Sequence, residues 1–382
     1  MRKRILIDAT TVTSQVDGLS HCIINLIKYL PEESFDKFSY TVLINKGVKR
    51  NALTNALANP AINVIEEKIA HIGLKREWDM YWFLRKYKKD FDLIHITSNN
   101  YPFTLKQGLG TVHDITFKQY FDNPKYTFKL APMYMDIMIR NALKKSRAMI
   151  AVSQATKNDL IKTYSLNERA ANKINVVRLG WEHLITEMDA EENGCQQPLA
   201  VENDYLLYVG TNRIHKNIAN LLLSFKDALR TIPAGKKLVI IGSDKYLKEK
   251  DMGIISDINR NGVRVIFTGY LSQACVQRYF RHADAYVFPS LSEGFGLGVL
   301  EAFYYDIPLL CSNTSSLPEV AGEAALYFDP FKPSEITAAI TKFYADAGLA
   351  KTLRAAGRER LKLFSWKKNA VETVAIYEKC LS

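Results

Sequence analysis

Short runs of aliphatic and β-branched residues alternate along the whole chain with stretches whose apolar residues recur at helical spacing. That is the pattern of parallel sheets joined by crossover helices on both faces. In the first half it predicts strands at Arg4–Ala9, Tyr40–Asn45, Ile62–Glu66, Leu93–Thr97, Gly110–His113, Ala148–Ser153 and Asn175–Arg178. A second series begins at Tyr205–Gly210 and continues through Leu238–Gly242, Val263–Gly269, Ala285–Ser290, Leu309–Ser312 and Ala325–Asp329. The expected fold class is α/β, with two Rossmann-like units. Between the series, residues 186–203 carry Glu187, Asp189, Glu191, Glu192, Gly194 and Pro198 without an apolar period, which reads as linker. After Ser365, a good N-cap, Val371, Val374, Ile376 and Tyr377 fall at helical spacing and predict a terminal helix. The domain plan is therefore 1–185, a linker at 186–203, 204–363 and a closing helix at 364–382. Ligands of open α/β sheets bind beyond the carboxyl ends of the strands, so two such domains facing each other are expected to hold the chemistry in a cleft.

Composition narrows the class. A chain of 382 residues exceeds one compact core, and 47% apolar with 24% charged residues is globular, which excludes a disordered, collagen-like or disulfide-scaffold chain. The five cysteines form no C-x-x-C pair, so no zinc cluster is expected, and the apolar runs stop short of the ~20 residues that cross a bilayer. The start, Met1-Arg2-Lys3-Arg4, leads into a strand rather than an apolar signal segment, and five free thiols suit a reducing compartment. The expected location is the cytoplasm. Net charge is +11, of which residues 1–150 contribute +9, so the first domain is the basic one. Such asymmetry fits nucleic acid, anionic lipid headgroups or a phosphorylated substrate, and equally a solvated basic surface.

Four stretches carry candidate chemistry. In Pro289–Ala302 a strand ends, Gly294 and Gly296 let backbone approach a ligand closely, and a helix starts near Leu297 with its unpaired N–H groups. Glu293 and Glu301 stand about 10 Å apart along such a helix. A carboxylate accepts from two vicinal hydroxyls, which suits Glu301 to a ribose and Glu293 to a second sugar. The plainer alternative is a surface glutamate plus a helix-capping one. In the second stretch, Gly210-Thr-Asn-Arg213-Ile-His215-Lys216-Asn217, Arg213 and Lys216 are suited to the charge of a departing diphosphate, unless the loop is simply basic and solvated. His113, at a strand's end before Asp114, is the third candidate, although a lone histidine is more often structural. The fourth is the turn Asp17-Gly18-Leu19-Ser20-His21, where Gly18 could cradle substrate or phosphate. Separately, Arg76–Lys89 sets Trp78, Tyr81 and Trp82 at helical spacing beside a basic tail, a pattern of either membrane-surface contact or core packing.

Together, Glu293…Glu301 within Glu-Gly-Phe-Gly-Leu, Gly210…Arg213…Lys216-Asn217, Val112-His113-Asp114, Ser312–Gly322, Ala151-Val152-Ser153 and Phe364-Ser365-Trp366 resemble glycosyltransferase family 4. The resemblance is strongest from Tyr205 to Pro330. It implies a retaining, nucleotide-sugar-dependent enzyme of GT-B fold, with an acceptor-binding first domain, a donor-binding second domain and a terminal helix returning to the first. Glu301 would hold the donor ribose. Glu293 and the backbone of Phe295, Gly296 and Leu297 would hold sugar hydroxyls and phosphates, and Arg213 and Lys216 the diphosphate. His113 would contact the transferred sugar, and the backbone at Gly269-Tyr270 would border the base. Two positions depart from the family: Ser20 replaces the second glycine of Gly-x-Gly, and Gly298 replaces a proline.

The resemblance further implies front-face substitution, with the leaving phosphate oxygen as base and no cofactor or metal. Asp90-Phe91-Asp92 matches the metal-binding Asp-x-Asp of another glycosyltransferase fold, but it stands at the amino end of a strand, away from the cleft. The motif wording is closest to mannosyltransferases of bacterial surface-polysaccharide assembly, lipopolysaccharide O-antigen among them, so GDP-mannose is the first donor expected and a UDP-hexose the second. The acceptor expected is a glycan or a polyprenyl-diphosphate-linked glycan, with peripheral contact to an anionic membrane at its inner face. A GT-B epimerase or a phosphorylase-like enzyme is the enzymatic rival. A nucleic-acid-binding module has no recognition-helix or RNP-like motif behind it, and a dinucleotide oxidoreductase lacks Gly-x-Gly-x-x-Gly after either first strand.

Overall fold

The computed structural model describes residues 2–13, 17–48, 53–120, 131–185, 195, 199–242 and 247–382. The chain divides into two compact units, one ending at Gly180 and regaining Ser365–Ser382, the other running from Trp181 to Phe364. In the first, β1 (Lys3–Asp8), β2 (Phe38–Asn45), β3 (Ile62–Glu67), β4 (Leu93–Ile96), β5 (Leu109–Val112), β6 (Ala148–Ala151) and β7 (Ile174–Val176) form a sheet in the order β3-β2-β1-β4-β5-β6-β7. In the second, β8 (Tyr205–Val209), β9 (Lys237–Ile241), β10 (Val265–Gly269), β11 (Ala285–Phe288), β12 (Leu309–Ser312) and β13 (Leu326–Phe328) run β10-β9-β8-β11-β12-β13. Every neighbouring pair is parallel. Each expected strand is present within a few residues, because strands covered on both faces read as continuous apolar runs. Strand order reverses between β1 and β4 and again between β8 and β11, and such reversals open a crevice at the carboxyl ends of an α/β sheet.

Six helices matter here: α1 (Gly18–Ser34), α2 (Leu74–Tyr87), α3 (Ile218–Ala228), α4 (Gln273–His282), α5 (Leu297–Tyr304) and α6 (Trp366–Leu381). Asp17 caps α1 by accepting from the N–H and hydroxyl of Ser20, so the serine in the Gly-x-Gly position is spent on the cap. The helix buries Ile23, Ile27 and Leu30 in the first unit's core, and α6 packs beside it. Ser365 caps α6, accepting from the N–H groups of Lys367 and Lys368. Trp366, Ala370, Thr373 and Tyr377 line its buried face, and Val371 lies on the opposite side, 47% exposed. Tyr377 Oη lies 2.8 Å from His95 Nδ1, and His95 Nε2 lies 2.8 Å from Thr111 Oγ1. Burial pushes His95 down to about 3, so the ring is neutral and one nitrogen donates while the other accepts.

One side-chain expectation changes, and two further side-chain placements become clear. Cys195 and Cys275 form a disulfide that ties residue 195 to α4, so the chain does not carry five free thiols; Cys22, Cys311 and Cys380 are free and buried. Arg76, the first residue of the Arg76–Lys89 stretch, is fully buried and pairs with Asp8 at 2.7 Å, which clamps α2 to the end of β1. Trp78, Tyr81 and Trp82 are exposed rather than core. Most of the linker stretch, 186–194 and 196–198, lies outside the described residues. Residues 181–185 side with the second unit, where the Trp181 ring contacts Tyr304. Among the described residues, no helix is long and apolar enough to cross a membrane.

Candidate active site

The loops that follow β8 and β11 flank the reversal point of the second sheet, and they are the two stretches singled out from sequence. The first leaves β8 through Gly210, at φ +153, where a side chain would strike the Tyr208 hydroxyl. Its other end is Asn217, left-handed at φ +61, which starts α3 and donates to the carbonyls of Pro289 and Pro330. The Leu291 N–H donates to the His215 carbonyl at 2.7 Å, joining the first loop directly to the second.

The second loop turns into α5 at Gly296, whose φ of +96 and contact with Leu317 exclude a side chain. Ser316 Oγ donates to the carbonyls of Glu293 and Phe295, and the Glu293 N–H donates to Ser315 Oγ. The Ser312–Gly322 stretch thus holds the glycine turn in shape. Phe295 is buried against Phe364, which leaves its backbone as the part able to meet a ligand. A Cβ at Gly298 would lie 2.8 Å from the Tyr286 hydroxyl, so Tyr286 fills the space that another residue would take. The hydroxyl also donates to the Val209 carbonyl.

The charges converge on Lys216. Its Nζ donates to Glu293 Oε1 at 2.6 Å, and both side chains are largely covered, at 21% and 14% exposure. Burial pushes the Glu301 carboxyl up to about 7, while the positive charge of Lys216 pulls it back down. Lys216 is thus ion-paired with Glu293, and its charge also acts on Glu301. Arg213 stands half-buried just before it and makes no ion pair among the described residues. Tyr270, after the end of β10, is 69% exposed. Sequence reasoning passed over Asn212 and Ser290, whose amide and hydroxyl are buried without a hydrogen-bond partner among the described residues. It also quoted Ser315 and Ser316 without giving them a role. A polar residue beside the Gly210 turn was the available signal for Asn212 alone.

In the first unit, the His113 N–H donates to Asn99 Oδ1, and its Nε2 lies 2.9 Å from the Thr97 carbonyl. A carbonyl only accepts, so Nε2 carries the proton and Nδ1 keeps its lone pair. Burial lowers the ring's pKa, which keeps it neutral near pH 7. Asp114 accepts from the N–H and hydroxyl of Thr116 and so shapes the turn after it. Gly18 is the first residue of α1, and residues 14–16 before it lie outside the described residues. Asp92 accepts from the Arg4 N–H at 2.7 Å at the amino end of the sheet. Among the described residues, no three His, Cys, Asp or Glu side chains cluster to hold a metal.

Residues 189–360, which include both loops, match the family model of glycosyl transferases group 1. Over these residues the chain is similar to that family. The glycosyltransferase is 29% identical over 300 residues to O-antigen chain mannosyltransferase B of Escherichia coli, covering 78% of this chain and 76% of that one. It is 23% identical to O-antigen chain mannosyltransferase RfbU of Salmonella typhimurium, covering 78% and 74%. Among solved structures it is similar to Anabaena HepE in complex with UDP and glucose, with TM-score 0.70, 15% identity and coverage of 99% and 100%. It is also similar to WaaG, a glycosyltransferase involved in lipopolysaccharide biosynthesis, with TM-score 0.68, 14% identity and coverage of 97% and 99%. The glycosyltransferase therefore has the GT-B fold.

Proposed function

We propose that the protein is a retaining hexosyltransferase that moves mannose from GDP-mannose to a glycan or polyprenyl-diphosphate-linked glycan in the assembly of a bacterial surface polysaccharide. The observation that carries this reading is the Lys216–Glu293 ion pair at the reversal point of the second sheet, joined there by Glu301 on α5, whose carboxyl lies within reach of the Lys216 charge. A sugar nucleotide offers hydroxyls at both ends and charge in the middle, and this triad has the complementary order. Glu301 takes the ribose, and Glu293 with the backbone of Phe295, Gly296 and Leu297 takes the sugar and phosphates. Gly210, the amide of Asn212, Arg213 and Lys216 surround the diphosphate, and Tyr270 borders the base. His113 is assigned to the transferred sugar, where its Nδ1 lone pair accepts from a hydroxyl.

Transfer proceeds by front-face substitution. The acceptor oxygen forms its bond to the anomeric carbon as the bond to the phosphate oxygen breaks, and the acceptor proton passes to that phosphate oxygen. Arg213 and Lys216 neutralise the charge that accumulates on the departing diphosphate. No side chain serves as nucleophile, and no metal or cofactor is required.

Mannose is favoured because two relatives aligned over most of the chain are named as mannosyltransferases. The complex of HepE with UDP and glucose supports UDP-hexose as the second reading. A thermal-shift panel of GDP-mannose, UDP-glucose and UDP-galactose tests the donor, since a ligand at 100 times its dissociation constant adds about 2.7 kcal/mol. Mass spectrometry of acceptor glycans then tests transfer. Stabilisation by none of the three donors overturns the reading, and release of an epimerised nucleotide sugar replaces transfer with epimerisation.

A further inference from the structure

The outer face of α2 takes no part in the chemistry above. Leu74, Trp78, Tyr81 and Trp82 recur at i, i+4, i+7 and i+8 and are exposed by 78%, 63%, 36% and 48%. The opposite face, Arg76, Met80, Phe83 and Leu84, is the buried one, so the aromatics are not a displaced part of the core. Their rings hold one another: Trp78 and Trp82 centroids are 5.8 Å apart and Tyr81 and Trp82 5.3 Å apart, both pairs edge to face. A contiguous exposed patch of large apolar side chains marks an interaction site.

Charge states what the patch fits. The Arg85 guanidinium lies 5.6 Å from the Trp82 ring and donates to the Tyr81 hydroxyl, and Lys75, Lys86, Lys88 and Lys89 are exposed around it. The helix's own acids are engaged elsewhere: Glu77 accepts from the Phe103 N–H and the Tyr134 hydroxyl, and Asp79 from the Ala70 N–H and Lys75. Glu67, paired with Lys86, and Asp90 are the acids at the rim. Aromatic rings with a polar edge, surrounded by cations, suit the headgroup layer of a bilayer that carries anionic lipid.

We propose that this face of α2 docks the protein on an anionic membrane surface, with Trp78, Tyr81 and Trp82 seated among the headgroups and the surrounding cations on lipid phosphates. The inference stands apart from the choice of donor. Sedimentation of the full chain with vesicles of phosphatidylglycerol and phosphatidylethanolamine, and with vesicles of phosphatidylcholine alone, tests it at low and physiological salt. The expected result is binding to the anionic vesicles with a blue shift of tryptophan emission, and about tenfold weaker partition to the neutral ones. Trp78→Ser with Trp82→Ser lowers partition about tenfold or more at both salts, and Arg85→Glu with Lys86→Glu does so mainly at low salt. All four side chains are exposed, so melting temperature and donor affinity stay at wild-type values, which separates this test from that of the transfer reaction. Absence of vesicle binding at either salt overturns the proposal. So does binding that ignores lipid charge, or binding that survives both double substitutions and therefore uses another surface. Loss of self-association in the tryptophan variant without vesicle binding would assign the face to a protein instead.

Discussion

The two units share a parallel sheet with one reversal of strand order, yet they secure their candidate residues differently. In the second unit, the loops after β8 and β11 are stitched to each other and to Ser315, Ser316 and Pro330, so a ligand meets backbone that is already held. In the first, His113 is oriented by Asn99 and Thr97, and the core beneath it depends on a helix from the far end of the chain. The cassette proposed for the donor is thus contiguous and locally braced, whereas the first unit relies on single residues and a distant clamp. Substitutions in the second unit should therefore act on binding and rate, and substitutions at the clamp on stability.

Lys216→Ala is the most damaging change expected. It removes the cation proposed for the diphosphate and leaves the Glu293 carboxylate, only 14% exposed, without its counter-charge, so kcat/KM should fall about 10²–10³-fold. Steady-state rates with saturating acceptor measure this; a loss under fivefold would remove Lys216 from the reaction. Ser316→Ala strips the carbonyls of Glu293 and Phe295 of a donor, and about 1–3 kcal/mol of lost loop order should raise the donor Kd about tenfold while the first unit's melting is unchanged.

Glu301 supplies a pH test. Its carboxyl is raised to about 7 by burial, and the carboxylate is the form that would accept from the ribose hydroxyls proposed for it. Donor affinity should be flat above pH 8 and weaken as pH falls through 7, approaching about tenfold per pH unit below it. Calorimetric titrations from pH 5.5 to 8.5 would show this, and Glu301→Gln should flatten the profile. The smallest effect expected is at the clamp. Tyr377→Phe leaves a buried His95 nitrogen unpaired and should cost about 1–3 kcal/mol in denaturant unfolding, with donor Kd unaltered. A shifted donor Kd would show that the two units are coupled.

The strands were legible because buried parallel strands are continuous apolar runs bounded by turn residues. The cassette was legible because its glycines, cations and glutamates are neighbours in sequence. What escaped were pairings between distant positions: Lys216 with Glu293, 77 residues apart, Asp8 with Arg76, 68 apart, Cys195 with Cys275, 80 apart, and His95 with Tyr377, 282 apart. Periodicity says that a face is apolar but not whether something covers it. The aromatic spacing of Trp78, Tyr81 and Trp82 therefore fitted core and surface alike until Arg76, Met80, Phe83 and Leu84 were seen to occupy the buried side.

Because α6 belongs to the first unit, the order of synthesis is not the order of completion. A ribosome makes the whole second unit before it makes Tyr377, and until then His95 lacks its partner and α1 lacks the helix that packs beside it. The first unit of the nascent chain must wait, incomplete, for the codons of α6. A premature stop near the end would thus harm the half translated first.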